Sequence, residues 1–575
     1  MRKLFVVVMV MLYTLGIFAG CRRGEEIESE DFFGLLAPGF DGMNYLINDG
    51  AAVEQTAAIT IEALARTNRF GVVEHALADR WTPSQGYSVW EVRIRRGVGW
   101  YNHEGVHVAD ITADCFVAAM EFILNEENNS AHFEFVSRYI SSIEVRSENT
   151  VVYRLYTAVP YFPSLLTTLP FLPVNRAFLN EVGEEFGTSA AKLLFSGSHI
   201  IYSWDYDGLI FVRNESYHLA DRVHVERLTL LREADNELEM FREGRLSQVW
   251  LSMEEAIDLM DDPDFAPYLI QTRPQDETWF FALNFGSSDT NVATAVQNVN
   301  FRRAVFAAIN RDTLINLHVV DNRQDFLTNT ISAEQVSFNA RNRDYMSFGV
   351  LPELSVRYTY NPARAVTYIH RAVVELGDIV EWPVTLVLPR EMTEFGVVES
   401  ELYRQMIEAA LDGYIRVEFR VVADEWNRAD LLARGELDIG MTYVLHRFGD
   451  PSDVLGAFAH DGLAYWLFYF DKYDGNAALN EMFESAAAQT DINARFSQFV
   501  AFEAYLIENA MVLPFKRGGG GFMLSREIRP FYAAYAQYGL SQFLFLDRAF
   551  GEPVTAIRYA EMFGEYQRLL GYLAR

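Results

Sequence analysis

The chain has 575 residues, half of them hydrophobic, 14% aromatic and 22% charged, which is the composition of a folded protein of about two to four domains and not of a disordered one. Its 48 Lys and Arg stand against 79 Asp and Glu, a net charge of −31. That deficit argues against nucleic acid and tight contact with anionic lipid, and supplies solubility.

The N-terminus reads as a targeting segment. A short basic start, Met1-Arg2-Lys3, precedes an apolar run from Leu4 to Gly20, and Cys21 follows. This is the pattern of a secretory signal peptide over 1–20. Ala19 and Gly20 before Cys21 resemble a bacterial lipobox, so lipidation of Cys21 is expected, with 21–35 as a polar tether. The protein is therefore expected outside the cytoplasm, lipid-anchored to a bacterial membrane on its periplasmic side or at the cell surface. A plain membrane anchor is the alternative, since the apolar run lies at the lower end of the spanning range. With Cys21 assigned, Cys115 has no partner, and no disulfide is expected. Its setting, "TADCFVAAMEFIL", suits a buried small side chain.

In chain order, "VWEVRIR" (89–95) alternates as a strand does. "ITADCFVAAMEFILN" reads as a helix with Thr112 as N-cap and Phe116, Met120, Ile123 and Leu124 on one face. "IEVRSENTVVYRLY" is a hairpin around 147–149, and "SWDYDGLIFVRN" is another around Asp207-Gly208. "FRRAVFAAINRDTLI" (301–315) reads as one helix. "VTLVLP", the helix of "ELYRQMIEAALDG", the strand "IRVEFRVV", a further helix ending at Gly435 and the strand "LDIGMTY" then alternate, as in an α/β domain. Gly518–Gly521 is the one low-complexity run.

One stretch suggests chemistry. His103-Glu104-Gly105-Val106-His107 fits the H-E-x-x-H pattern of zinc peptidases, and Glu126 stands where a third ligand is conceivable. Such a site needs both histidines one turn apart on a helix. Asn102 and Gly105 instead favour a turn, and the first helix begins only at Thr112.

Taken together, "ALADRWTPSQGYSVWEVRIRRGVGW", "ITADCFV", "SGSHIIYSWDYDGLIFVRNESYH", "NVNFRRAVFAAINRDTLI", "YNPARAVTYI", "RGELDIG…FGDPSDVL" and "IENAMVLPF" resemble, in order and spacing, the large extracytoplasmic solute-binding proteins of peptide ABC transporters, of dipeptide and oligopeptide type. The likeness runs from about Ala76 to Phe515. It implies a two-lobed α/β fold of periplasmic-binding-protein type II, with an extra α+β subdomain in the first lobe. The boundaries it suggests are 36–70 with 196–297 and 513–575 for lobe I, 71–195 for the inserted subdomain and 298–512 for lobe II. It also implies hinge closure over a peptide or related small polar ligand, held largely through its backbone, and delivery to permease subunits. The pentad occupies the place of a turn in this family.

The chain departs from the family pattern where the ligand's free amine is received. The resemblance implies an aspartate four residues before the proline of Asp-Pro; here Arg447 precedes Pro451. Arginine repels an ammonium and suits a carboxylate or phosphate. The usual tryptophan falls at Val444, beside Tyr443, and the family's Gly-Pro-Tyr is Gly197-Ser198-His199. The expected ligand-binding residues are Arg447, Tyr443, His446, Phe448, Asp450, Trp279 and Asn284. Asp450 is at the same time the acid expected to pair with Arg447 should that arginine turn away from ligand. No clustered His/Cys pattern calls for a metal or other cofactor, and a monomer is expected. The leading reading is a non-enzymatic receptor of an importer. A divergent surface protein with a non-peptide ligand, anionic or a metal chelate, and a zinc peptidase are the alternatives.

Overall fold

A computed structural model describes residues 28–29, 31–357, 359–460, 462–526, 549–550 and 552–573. Residues 1–20 and Cys21 lie outside this set. Among the described residues, no helix is long and apolar enough to cross a membrane.

The first body begins earlier than the sequence suggests. Asp31–Leu35 is no tether: it pairs in parallel with Arg227–Leu231, completing a sheet with Gly208–Arg213 and His199–Trp204. Phe32 and Leu36 enter the core, and burying two large apolar side chains stabilises the added strand. An antiparallel sheet of Ala78–Ser84, Val89–Ile94, Thr150–Leu155 and Ile140–Ser147 forms the inserted unit. The helix Ala113–Ile123 covers it with Phe116, Met120 and Ile123 buried. Cys115 is buried there too and accepts the Trp100 indole N–H at 3.4 Å.

The second body is built on Thr278–Leu283, which lies between Ile439–Val444 and Val512–Arg517, antiparallel to both. Val384–Glu391 and Ile415–Val422 pair in parallel beside them. One continuous apolar core runs from Phe280 to Phe515. A lobe boundary at 297/298 would cut it, so 278–297 packs with the second body. The segment 301–315 is two helices, Val299–Ala308 and Arg311–His318. Asn310 ends the first and caps the second through the Thr313 amide, a role in which a short polar side chain competes with helix continuation.

Among the described residues, the chain crosses between the bodies at 272–277 and 518–521, side by side. Gly518 N donates to Glu277 O at 2.7 Å, Gln275 N to Gly518 O at 3.0 Å and Thr272 N to Gly521 O at 2.8 Å. The glycine run has a steric reason. Gly519 sits at φ +85°, and a Cβ there would lie 2.3 Å from the Arg273 carbonyl oxygen.

Candidate functional site between the two bodies

A cavity of about 1040 Å³ opens where the two bodies face each other. The inserted unit contributes Arg138 and Tyr139, from the end of the helix Phe133–Tyr139, and Tyr161 from the loop after Thr150–Leu155. The second body contributes the strand end Met441–Leu445, the turn through Arg447 and Phe448, and Trp426 and Arg428 on the helix Glu425–Ala433. This size and mixture of aromatic and charged lining suit a ligand of several residues.

The backbone of one wall is as informative as its side chains. Ile439–Val444 uses one edge to pair with Thr278–Leu283. Its other edge lines the cavity, and among the described residues no backbone group of Met441–Leu445 is hydrogen-bonded on that side. Such an edge is a template for an added strand.

The turn that follows holds two ion pairs. Arg447 donates from Nε and Nη2 to Asp453 Oδ1 at 3.0 and 2.8 Å. The Arg447 and Phe448 amides both donate to Asp453 Oδ2, the latter at 3.1 Å. Asp453 holds the Arg447 guanidinium above its ordinary range. Burial pushes the Asp453 carboxyl up against the pull of Arg447 and the two amides; four donors on two oxygens fit the carboxylate form. Arg447 lies over the Phe135 ring at 5.4 Å and still exposes 58% of its side chain to the cavity.

Asp450, the sequence's alternative partner for Arg447, pairs elsewhere. It receives Arg495 Nε and Nη2 at 2.9 and 2.7 Å, with both side chains 1% exposed. It is committed to the interior and does not form the cavity wall. His446 is also interior. Burial lowers its pKa to about 3, its Nε2 accepts only a long bond from Ala333 N at 3.4 Å, and its Nδ1 has no partner among the described residues. Asn284, expected to bind ligand, is likewise interior and does not line the cavity. Its amide is fully buried, donating to Leu432 O and Leu437 O at 2.9 and 3.0 Å and accepting from Gly286 N at 2.8 Å. That saturates its hydrogen-bonding groups and makes it a structural bracket.

Tyr443 lines the cavity and packs on Trp279 of the neighbouring strand, rings 4.8 Å apart. Trp279 therefore supports this wall from behind Tyr443. Phe448 is buried and stacks on Tyr161 at 5.5 Å and 2°, so a residue of the second body packs into the core of the first. No local pattern singles out Tyr139, Tyr161 or Arg428. Trp426 carried a signal, a lone tryptophan in the first turn of a helix whose buried residues are Leu431 and Leu432, and it is 86% exposed.

The zinc-like pentad lies away from this cavity. It spans the turn between Gly99–Tyr101 and His107–Asp110. Gly105 has φ +79°, and the Asn102 side chain accepts from the Glu104 and Val106 amides at 3.0 and 2.9 Å. His103 and His107 thus share no helix, and His107 pairs with Asp110 at 3.1 Å. Glu126 sits in a separate short helix, Glu126–Asn128. Among the described residues, no three His, Cys, Asp or Glu are grouped to hold a metal.

The family described as bacterial extracellular solute-binding proteins, family 5 Middle, matches residues 72–466, more than half of the chain. The oligopeptide-binding protein SarA of Streptococcus gordonii is 24% identical over 87% of this chain and 85% of its own. The oligopeptide-binding protein AliA of Streptococcus pneumoniae is 24% identical over 97% and 94%. Among solved structures, Listeria monocytogenes OppA bound to peptide superposes with a TM-score of 0.61 at 17% identity, covering 91% of this chain and 99% of that one. HbpA2 of Haemophilus parasuis reaches 0.70 at 14% identity, covering 89% and 98%. These structures establish the two-lobed fold.

Proposed function

Because the chain belongs to the bacterial extracellular solute-binding proteins of family 5, a family of binding proteins and not of enzymes, we propose that it captures peptides in the inter-body cavity and hands them unaltered to the permease of an ABC importer. The observation that carries this reading is the unpaired edge of Met441–Leu445 inside the cavity. Main-chain groups aligned there recognise what every peptide shares, and leave side chains to roomier surroundings. The names of SarA and AliA as oligopeptide-binding proteins support it. A ligand touching both walls binds the closed arrangement better than the open one, and the paired crossings at 272–277 and 518–521 supply the hinge.

Tyr443 and Arg447 are the ligand-facing residues of the second body in this proposal, with Trp279 and Phe448 holding them in place. Arg447 does not receive a ligand amine. Its exposed face favours a carboxylate or carbonyl oxygen. The protein works as a monomer, outside the cytoplasm, held to the membrane by lipid on Cys21.

The test is a thermal shift of the purified soluble protein against peptide pools, with mass spectrometry of anything released on unfolding. Peptide at one hundred times its Kd adds about 2.7 kcal/mol of stability, and it is recovered intact. No shift with any pool, or recovery of cleaved peptide, overturns the proposal.

A further inference from the structure

Behind the edge strand lies a second, smaller cavity of about 60 Å³. It lies between the C-terminal half of Val384–Glu391 and the N-terminal half of Ile439–Val444, under the helix Glu394–Ala410. Phe281, Ile309, Leu388 and Ile407 make its interior apolar. Met441 and Arg428 line both this cavity and the large one, so the two adjoin at those side chains.

The polar groups around it are nearly all committed. Glu399 accepts from Tyr403 Oη at 2.8 Å and pairs with His318 Nε2 at 2.9 Å. Ser400 Oγ accepts from Arg390 Nε at 2.9 Å. Arg428 Nη2 binds Glu391. Of the buried polar atoms in this wall, Arg428 Nε alone finds no acceptor among the described residues. A buried donor without an acceptor is costly, and a ligand oxygen placed there relieves the cost.

We propose that this cavity is a side-chain subsite, taking one aliphatic side chain of leucine, isoleucine or methionine size from a peptide whose adjacent carbonyl accepts from Arg428 Nε. The inference rests on the peptide-binding reading above. The size follows from the volume: about 10–15 Å³ is needed per water-sized occupant, so about 60 Å³ holds roughly four to six heavy atoms, enough for a leucine, isoleucine or methionine side chain and short of a whole phenylalanine side chain. The chemistry follows from the lining, which offers apolar contact inside and, among the buried side-chain polar atoms of its described residues, one donor without an acceptor, Arg428 Nε, on a side chain shared with the large cavity. A peptide laid along Met441–Leu445 passes that side chain.

Isothermal titration of the wild-type protein with tetra-alanine, and with tetrapeptides carrying one Val, Leu, Met or Phe at each position in turn, tests the subsite. At one position Leu or Met binds at least ~10-fold tighter than Ala, as expected for burying several methylenes, and Phe loses the gain. In Leu388→Phe or Ile407→Phe, whichever retains native circular dichroism and cooperative melting, the Leu-to-Ala ratio collapses toward one. A flat series in the wild type overturns the subsite while leaving the peptide reading intact. So does a preference that survives the filled cavity. Failure of every tetrapeptide and of the wider pools to bind overturns the peptide reading itself.

Discussion

Two arginine–aspartate pairs flank Pro451, and they differ in almost everything but chemistry. Arg495–Asp450 is sealed, with both side chains 1% exposed, and Arg495 also donates to the Ala487 carbonyl at 2.6 Å and lies between the rings of Tyr161 and Phe499. Arg447–Asp453 has the same buried acid, but its arginine is 58% exposed where it lines the cavity, against 1% for Arg495. In the sealed pair, each charge is tolerated because the other is there. In the wall pair, the acid keeps two backbone donors of its own, so the arginine is freer to serve a ligand. Charge type does not separate a structural residue from a binding one; what else satisfies the partner does.

The comparison breaks most visibly at the sealed pair. Arg495→Leu leaves Asp450 buried with the Ser452 amide as its remaining donor and is expected to cost about 3–5 kcal/mol, read as a drop in urea midpoint. A loss below 1 kcal/mol would mean that the pair is not sealed in solution.

Asp276, in the first crossing between the bodies, sharpens the contrast as an acid with no such partner. Its Oδ2 is buried without an acceptor or donor contact among the described residues, and burial raises its pKa to about 8. A pKa raised on folding contributes stability below the unfolded value near 4 and loses it as pH climbs through about 8. Asp276→Asn is therefore expected to raise stability at pH 8 by about 1–3 kcal/mol and to flatten the alkaline decline. Equal melting temperatures at pH 8 would contradict this.

His446 gives the opposite slope. Its pKa is depressed to about 3 by burial, so its contribution is complete above the unfolded value near 6.5 and is lost as pH falls toward 3, at up to about 1.4 kcal/mol per pH unit. His446→Met removes that part of the acid slope. An unchanged slope between pH 6 and 4 would place the histidine in water.

The smallest effect on stability is expected in the wall. Arg447→Ala costs about 1 kcal/mol, since the exposed arm of the pair is screened and Asp453 retains its amides. Its larger consequence is in ligand choice: peptides with an additional carboxylate lose affinity relative to neutral ones. The same relative affinities in both proteins would mean that Arg447 serves Asp453 alone.

Much of the fold was legible because alternation and helical periodicity report burial directly. The strands at 89–94 and 415–422 and the helix Ala113–Ile123 fall within a residue or two of their patterns. The break at Asn310 was not, since an apolar stripe continues across it while a single cap decides the matter. The site was half legible. Tyr443, Arg447 and Phe448 line the cavity, whereas His446 and Asp450, interleaved with them in sequence, turn inward. In a tight turn, adjacent residues point to opposite sides, and only the packing partner fixes which. Tyr139 and Tyr161 come from roughly 300 residues upstream. No local pattern announces such a meeting, because it is made by the tertiary fold.

The central claim is that a peptide's backbone aligns along the unpaired edge of Met441–Leu445. Hydrogen–deuterium exchange of that segment, with and without saturating peptide, tests it most directly. The account predicts slowed exchange at alternate amides between Met441 and Leu445 when peptide is bound. Tight binding with exchange in that strand unaltered would contradict it.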